Sequence, residues 1–192
     1  MNNTSLKSGA VIWITGLAGS GKTTLATLIY NDLIQVQENI FPLVKLDGDE
    51  LREIFGDDLG YDAEARKKSA WRNAKLCKFL SEQSINVICP TISLFNDVQQ
   101  WNRANIPNYI EIFLDIDFDI IIQRDQKSLY SKALKGEISN VVGIDIQAEY
   151  PTNPDYTYTA NQPIEGLIKD ITRQLKLINY PSFGHPEILI KS

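Results

Sequence analysis

Gly16-Leu17-Ala18-Gly19-Ser20-Gly21-Lys22-Thr23 reads G-x-x-x-x-G-K-T, set between the apolar run Ala10-Val11-Ile12-Trp13-Ile14 and a helical pattern carried by Leu25, Ala26, Leu28 and Ile29. Strand, glycine loop and helix in that order confine the chain to a narrow set of α/β folds. Backbone N–H groups curled around an anion need φ angles closed to residues with a Cβ, and the helix N-terminus behind them adds partial positive charge. The expected phosphate contacts are Gly16, Ala18, Gly19, Ser20, Gly21, Lys22, Thr23 and Thr24. Lys22 would reach the β/γ-phosphates and the Thr23 hydroxyl would take a Mg²⁺ position. A glycine-rich turn without a ligand is the plain alternative, and the flanking strand and helix weigh against it.

Short β-branched runs at Val11–Thr15, Leu43–Leu46, Asn86–Cys89 and Tyr109–Leu114 alternate with helical patterns near 22–37, 63–84, 96–105 and 117–125. Such alternation predicts an α/β fold of the three-layer α/β/α kind, with a mostly parallel central sheet wrapped by helices. The strands lack strict polar alternation because both their faces are buried. Ligands of open parallel sheets bind beyond the carboxyl ends of the strands. That singles out the glycine loop, Asp47-Gly48-Asp49, Thr91-Ile92-Ser93 and Asp115.

With 192 residues and 43% hydrophobic content, and no composition break, the chain is expected to form one domain over 1–192. Periodicity weakens from about 126 to 156, a stretch expected to be a structureless lid, and resumes over Pro163–Ile178. The tail from about 179 to 192, with its apolar Ile188-Leu189-Ile190 and the lone His185, reads as an appendage that docks on the domain or on a second subunit. A net charge of −5 excludes a general nucleic-acid or anionic-membrane surface, so anions are bound locally in a cleft. The first residues lack a basic segment and Ala10–Thr15 is too short to span a bilayer, which makes the cytoplasm the expected location. Cys77 and Cys89 have no metal-site spacing and read as reduced core thiols.

Lys45-Leu46-Asp47-Gly48-Asp49-Glu50-Leu51-Arg52 places two carboxylates at the end of a strand, facing the glycine loop. One can support Mg²⁺ while the other accepts a proton from an attacking hydroxyl. In the structural alternative Asp47 opens a turn and Asp49 caps the helix through Leu51-Arg52-Ile54. Arg52 would either hold an anionic acceptor or lie on a solvated helix face, and most charges around Arg66 and Arg72 read as such a face.

Further motifs follow in a fixed order: D-L-G-Y at Asp58–Tyr61, Arg66, I-S at Ile92-Ser93, Q-R-D at Gln123–Asp125, L-Y-x-K-A-x-x-G-E-I at Leu129–Ile138, and G-I-D at Gly143–Asp145. Together with the glycine loop and L-D-G-D-x-x-R they resemble the adenylylsulfate kinase family of P-loop NTPases, from about Ala10 to Leu175. That family phosphorylates the ribose 3′-hydroxyl of adenylylsulfate with ATP and Mg²⁺. The resemblance implies that Asp49 acts on the acceptor hydroxyl, that Asp47 supports the metal or the hydroxyl, and that Arg52 and Arg66 hold the acceptor's phosphate side. It puts Ile92 and Ser93 at the acceptor site, Arg124 near the donor nucleotide and Lys132 on the phosphates from the lid. Tyr61, Ser69, Val142, Gly143 and Ile144 fall at the family's remaining acceptor positions, and a homodimer is implied as well.

The departures fall on the acceptor side. Ser69 stands where the family has Asn, Trp71-Arg72 where it has Arg-Arg, and Leu94-Phe95-Asn96 where it has Pro-[FY]-Arg. Val141-Val142 precede Gly143-Ile144-Asp145 where an aromatic that sandwiches adenine is expected. Losing a charge-assisted hydrogen bond costs about 1.5–3 kcal/mol, and losing one face of an aromatic sandwich on the order of 1–3 kcal/mol. At about 1.4 kcal/mol per tenfold, the sum weakens adenylylsulfate binding roughly a hundredfold unless something compensates.

The expected activity is therefore ATP-dependent phosphorylation of a ribose 3′-hydroxyl on a nucleotide-activated small anion. Adenylylsulfate is the acceptor by resemblance. The alternative is cytidine diphosphoramidate, the substrate of a family relative that serves capsule modification. A GTPase is excluded by the lack of N-K-x-D. A silent nucleotide-binding module has no physical need to keep Lys22, Thr23, Asp47 and Asp49 together.

Overall fold

A computed structural model describes residues 8–35, 42–56, 58–125 and 128–179. The first apolar run forms β1 (Val11–Thr15), buried at every position, and the glycine loop leads from it into α1 (Lys22–Gln35). Then come β2 (Leu43–Lys45), α2 (Gly48–Ile54), α3 (Ala63–Glu82), β3 (Asn86–Pro90), α4 (Asn96–Asn105) and β4 (Tyr109–Leu114). The chain continues through α5 (Phe118–Arg124), α6 (Leu129–Leu134), β5 (Tyr156–Tyr158) and α7 (Ile164–Asn179). The strands lie in the order β2-β3-β1-β4-β5 and every neighbouring pair is parallel. With β1 between β3 and β4, the glycine loop stands over the middle of the sheet at its carboxyl edge.

Side-chain alternation along β1 divides the core in two. Ile12 and Ile14 pack with Leu25, Ile29 and Leu33 of α1 and with Ile171 and Leu175 of α7. Val11 and Trp13 pack on the other face with Ala70, Ala74 and Cys77 of α3 and with Val98 of α4. Helices on both faces make the three layers expected from the sequence. Cys77 and Cys89 are buried free thiols, and among the described residues no helix is long and apolar enough to cross a membrane.

The segment expected to be structureless contains α6 and a parallel bridge between Val142 and Ile146, and runs into β5. Single anchors, not a periodic stripe, order it. Tyr130 is buried, its hydroxyl donates to the Ala18 carbonyl at 3.1 Å, and Phe118 meets its ring edge-on. The Asp125 carboxylate accepts from the Tyr130 N–H at 3.0 Å, and Asp145 accepts from the N–H groups of Asn140 and Val141. The tail beyond Asn179, His185 included, lies outside the described residues.

Candidate active site

Gly16 leaves β1 at φ 151°, and a Cβ there would stand 2.9 Å from both the Leu114 carbonyl oxygen and the Ser20 Oγ. Gly21 at φ 100° turns the chain into α1, a conformation L side chains rarely adopt. The Lys22 ammonium donates to the Leu17 carbonyl at 2.7 Å, inside the curve of the loop. Burial lowers its pKa to about 8, against the pull of Asp49 and then Asp47. Thr23 Oγ1 donates to Asp47 Oδ2 at 2.9 Å.

Asp47 is buried, and its Oδ1 accepts from the Asp49 N–H at 3.0 Å, which caps α2. The cap is therefore Asp47 and not Asp49, a correction to the structural alternative above. Asp49 sits in the first turn, its carboxylate free of capping and close enough to Lys22 to act on its charge.

Arg52 donates to the carbonyls of Leu59 and Gly60 at 2.6 and 3.0 Å, and its guanidinium lies 4.5 Å from the Tyr61 ring centroid. Arg66 lies 5.6 Å from the same ring and donates to the carbonyls of Tyr61 and Asn140, both at 2.8 Å. Burial, and next the charge of Arg52, lower the Arg66 pKa. Two guanidinium groups facing one cleft make a place for an anion. Arg72 instead grips Asp58 through two bonds of 2.7 and 2.6 Å and fixes the loop that carries Tyr61.

Two clefts lie on either side of the glycine loop. The first brings together Ala18, Lys22, Thr23, Asp47, Asp49, Arg52, Tyr61, Arg66, Ser69, Ile92, Ser93 and Val142. The second gathers Gly19, Ser20, Gly21, Thr24 and Arg124, whose guanidinium reaches the Gly19 carbonyl at 3.4 Å. Four expected residues line neither cleft. Gly16 lies beneath the loop, and Lys132 is exposed on α6. Gly143 is held against Leu17, whose Cδ2 would be 3.0 Å from a Cβ there, and Ile144 packs on the main core. Val141, at the family's aromatic position, is likewise buried in that core.

Asn73, Thr91, Phe95 and Gln147 also line the first cleft, and Leu114, Ile116, Tyr158, Ala160 and Ile164 the second. Thr91 and Phe95 flank the motif already singled out. Asn73 lies seven residues beyond Arg66 and four beyond Ser69, a spacing that puts all three on one helix face. Nothing local marks Tyr158, Ala160 or Ile164; only β5 pairing with β4 brings them to the loop.

A parallel sheet with a glycine loop between two clefts, and a lysine and a threonine–aspartate pair lining the first of them, defines a P-loop phosphotransferase. The profile of the adenylylsulphate kinase family matches residues 8–159, and the chain belongs to that family. It is 50% identical over 141 residues to the cytidine diphosphoramidate kinase of Campylobacter jejuni subsp. jejuni serotype O:2, covering 73% of this chain and 81% of the relative. It is 36% identical over 167 residues to a probable adenylyl-sulfate kinase of Pseudomonas aeruginosa, covering 86% and 77%. Among solved structures, the Mycobacterium tuberculosis APS kinase CysC in complex with AMPPNP and APS superposes with a TM-score of 0.79 at 30% identity, covering 88% of this chain and 99% of that one. The protein is a nucleotide kinase.

Proposed function

We propose that the protein transfers the γ-phosphoryl group of ATP to the ribose 3′-hydroxyl of cytidine diphosphoramidate. The observation that carries the transfer is the glycine loop dividing two clefts, with Lys22, Thr23, Asp47, Asp49, Arg52 and Arg66 gathered in one and Gly19, Gly21, Thr24 and Arg124 in the other. ATP would enter from the side of Gly19, Thr24 and Arg124, and the acceptor from the side of Arg52 and Arg66. The bond between the β–γ bridging oxygen and the γ-phosphorus breaks, the 3′-oxygen bonds to that phosphorus, and the hydroxyl proton passes to Asp49. ADP and a 3′-phosphorylated nucleotide leave.

The Thr23 hydroxyl and the Asp47 carboxylate, 2.9 Å apart, are hard oxygen donors of the kind Mg²⁺ takes alongside substrate phosphates. Bound Mg²⁺ would neutralise charge on those phosphates. Lys22 holds the same oxygens by its ammonium, and Asp49, in the first turn of α2, is placed to orient and deprotonate the hydroxyl. Lys132, exposed on α6, would have to come onto the phosphates from the lid.

Support for the cytidine acceptor comes from the 50% identical relative, and from the burial of Val141 where an adenine clamp would need an aromatic ring in the cleft. Adenylylsulfate is the second reading, favoured by Tyr61 and Phe95, two rings at the mouth of the acceptor cleft that a purine could use. A cytoplasmic homodimer completes the proposal, with solution mass as its check. The deciding experiment is ADP release with ATP and Mg²⁺, comparing the two acceptors with Asp49→Ala as the blank. Turnover of the cytidine compound is the expected result. Turnover of adenylylsulfate alone overturns the acceptor, and turnover of neither favours a silent module.

A further inference from the structure

Asn73 is 2% exposed on α3, yet it lines the acceptor cleft, and among the described residues its side-chain amide makes no hydrogen bond. With no partner in the protein and a place in the cleft lining, the amide is left to meet whatever enters the cleft. It stands on the cleft floor: a Cβ on Gly48 would be 3.8 Å from Asn73 Nδ2 and 3.6 Å from Thr91 Oγ1. Gly48 adjoins Asp49, and Asn73 shares its helix face with Arg66 and Ser69, so the amide lines the same cleft as the proposed base and the anion-holding arginines.

The neighbouring groups differ in what they can read. Lys22, Arg52 and Arg66 only donate hydrogen bonds, so they hold sulfate, phosphate or phosphoramidate oxygens alike. The hydroxyls of Thr91 and Ser93 are engaged with each other at 3.0 Å. The Asn73 amide offers a donor and, on its carbonyl, a fixed acceptor. Among these acceptor termini only a phosphoramidate carries a nitrogen that donates as well as oxygens that accept.

We propose that Asn73 is a specificity-determining residue that accepts a hydrogen bond from the terminal P–NH₂ of the acceptor while its Nδ2 donates to an oxygen of the same group. The inference rests on the cytidine diphosphoramidate reading and extends it to a residue.

The test compares cytidine diphosphoramidate with cytidine diphosphate as acceptors for the full-length wild type, Asn73→Leu and Asn73→Asp. Asn73→Leu is expected to lose about ten- to a hundredfold in kcat/KM for the amidate, the range that one or two hydrogen bonds span, with KM for ATP unchanged and the preference over the diphosphate gone. Asn73→Asp, which still accepts but adds negative charge, is expected to weaken both acceptors and keep the preference. An Asn73→Leu protein with wild-type melting and KM for ATP that retains the amidate preference overturns the inference alone. If that variant does not fold, loss of the preference in Asn73→Asp overturns it. A wild type that turns over adenylylsulfate and neither cytidine compound overturns the acceptor reading and this inference with it.

Discussion

Thr23 Oγ1 and Asp47 Oδ2 lie 2.9 Å apart, so a single carboxylate ties the first turn of α1 to the start of α2. The same group caps α2 through the Asp49 N–H, so donor-side and acceptor-side chemistry share one anchor. Replacing Asp47 by Asn keeps an N-cap acceptor and removes the charge; stability should change by under about 0.5 kcal/mol, since Asn caps as well as Asp. The Mg²⁺ concentration for half-maximal activity should rise about tenfold or more, as one of the few carboxylates Mg²⁺ uses is lost. Asp47→Ala should add a cap loss of about 1 kcal/mol. Thermal melts and Mg²⁺ titrations of the two variants separate the effects.

Asp49 contributes only its backbone to the α2 cap, and its side chain faces the cleft. Asp49→Asn should therefore melt like the wild type and keep its KM for ATP. Its kcat should fall by about 10²–10⁴, the usual worth of a positioned base. A decrease of less than about tenfold would remove Asp49 from the proton transfer.

Much of this site is readable from the chain because it is local. Lys22 and Thr23 follow the glycines, and Asp47, Asp49 and Arg52 fall within six residues at a strand end, so one loop and one short helix assemble them. The acceptor arginines were visible, but their arrangement around Tyr61 was not, since it depends on the Arg72–Asp58 pair that folds back the intervening loop. Tyr158, Ala160 and Ile164 reach the donor cleft only through sheet pairing between distant segments. α6 is six residues long, with Tyr130 buried and Leu129 and Ala133 partly so, and so short an element leaves no period to detect. Asn73 was hidden by a different cause: a polar residue buried between Ala70, Ala74 and Cys77 of the core reads as a break in the pattern.

Glu111 lies almost fully buried in β4, and burial raises its pKa despite bonds from Tyr109 at 3.0 Å and Arg103 of α4 at 3.4 Å. Arg103 also grips Asp155, whose Oδ2 accepts from the Glu111 N–H at 2.7 Å just before β5. Arg103→Leu should cost about 2–3 kcal/mol near neutral pH, because it strands a buried carboxylate while a half-exposed partner is lost. A carboxyl whose folded pKa is raised binds its proton more readily folded than unfolded. Its contribution to stability is thus greatest in acid and declines as pH rises through the folded pKa. Removing Arg103 deepens that trend, so the destabilisation should shrink on acidification, as urea melts at about pH 5 and about pH 7.5 would report. KM for ATP should rise as well, since β5 carries Tyr158 into the donor cleft.

Lys22 gives the sharpest pH signature. Its pKa near 8 means that raising the pH above that value leaves an increasing fraction of the free protein with a neutral amine. ATP phosphates favour the ammonium, so binding above pH 8 must take up a proton, and affinity should fall towards a limit of about tenfold per pH unit. Stability of the ligand-free protein runs the other way. Between pH 8 and the ordinary lysine value of 10.5 the unfolded chain holds more protons at this site, so Lys22's own contribution to stability rises with pH across that window. Calorimetric titrations with ATP in buffers of different ionisation enthalpy would register the proton uptake directly. Lys22→Met should abolish the uptake and weaken ATP binding at every pH, and an uptake that survives this substitution would assign the titrating group elsewhere.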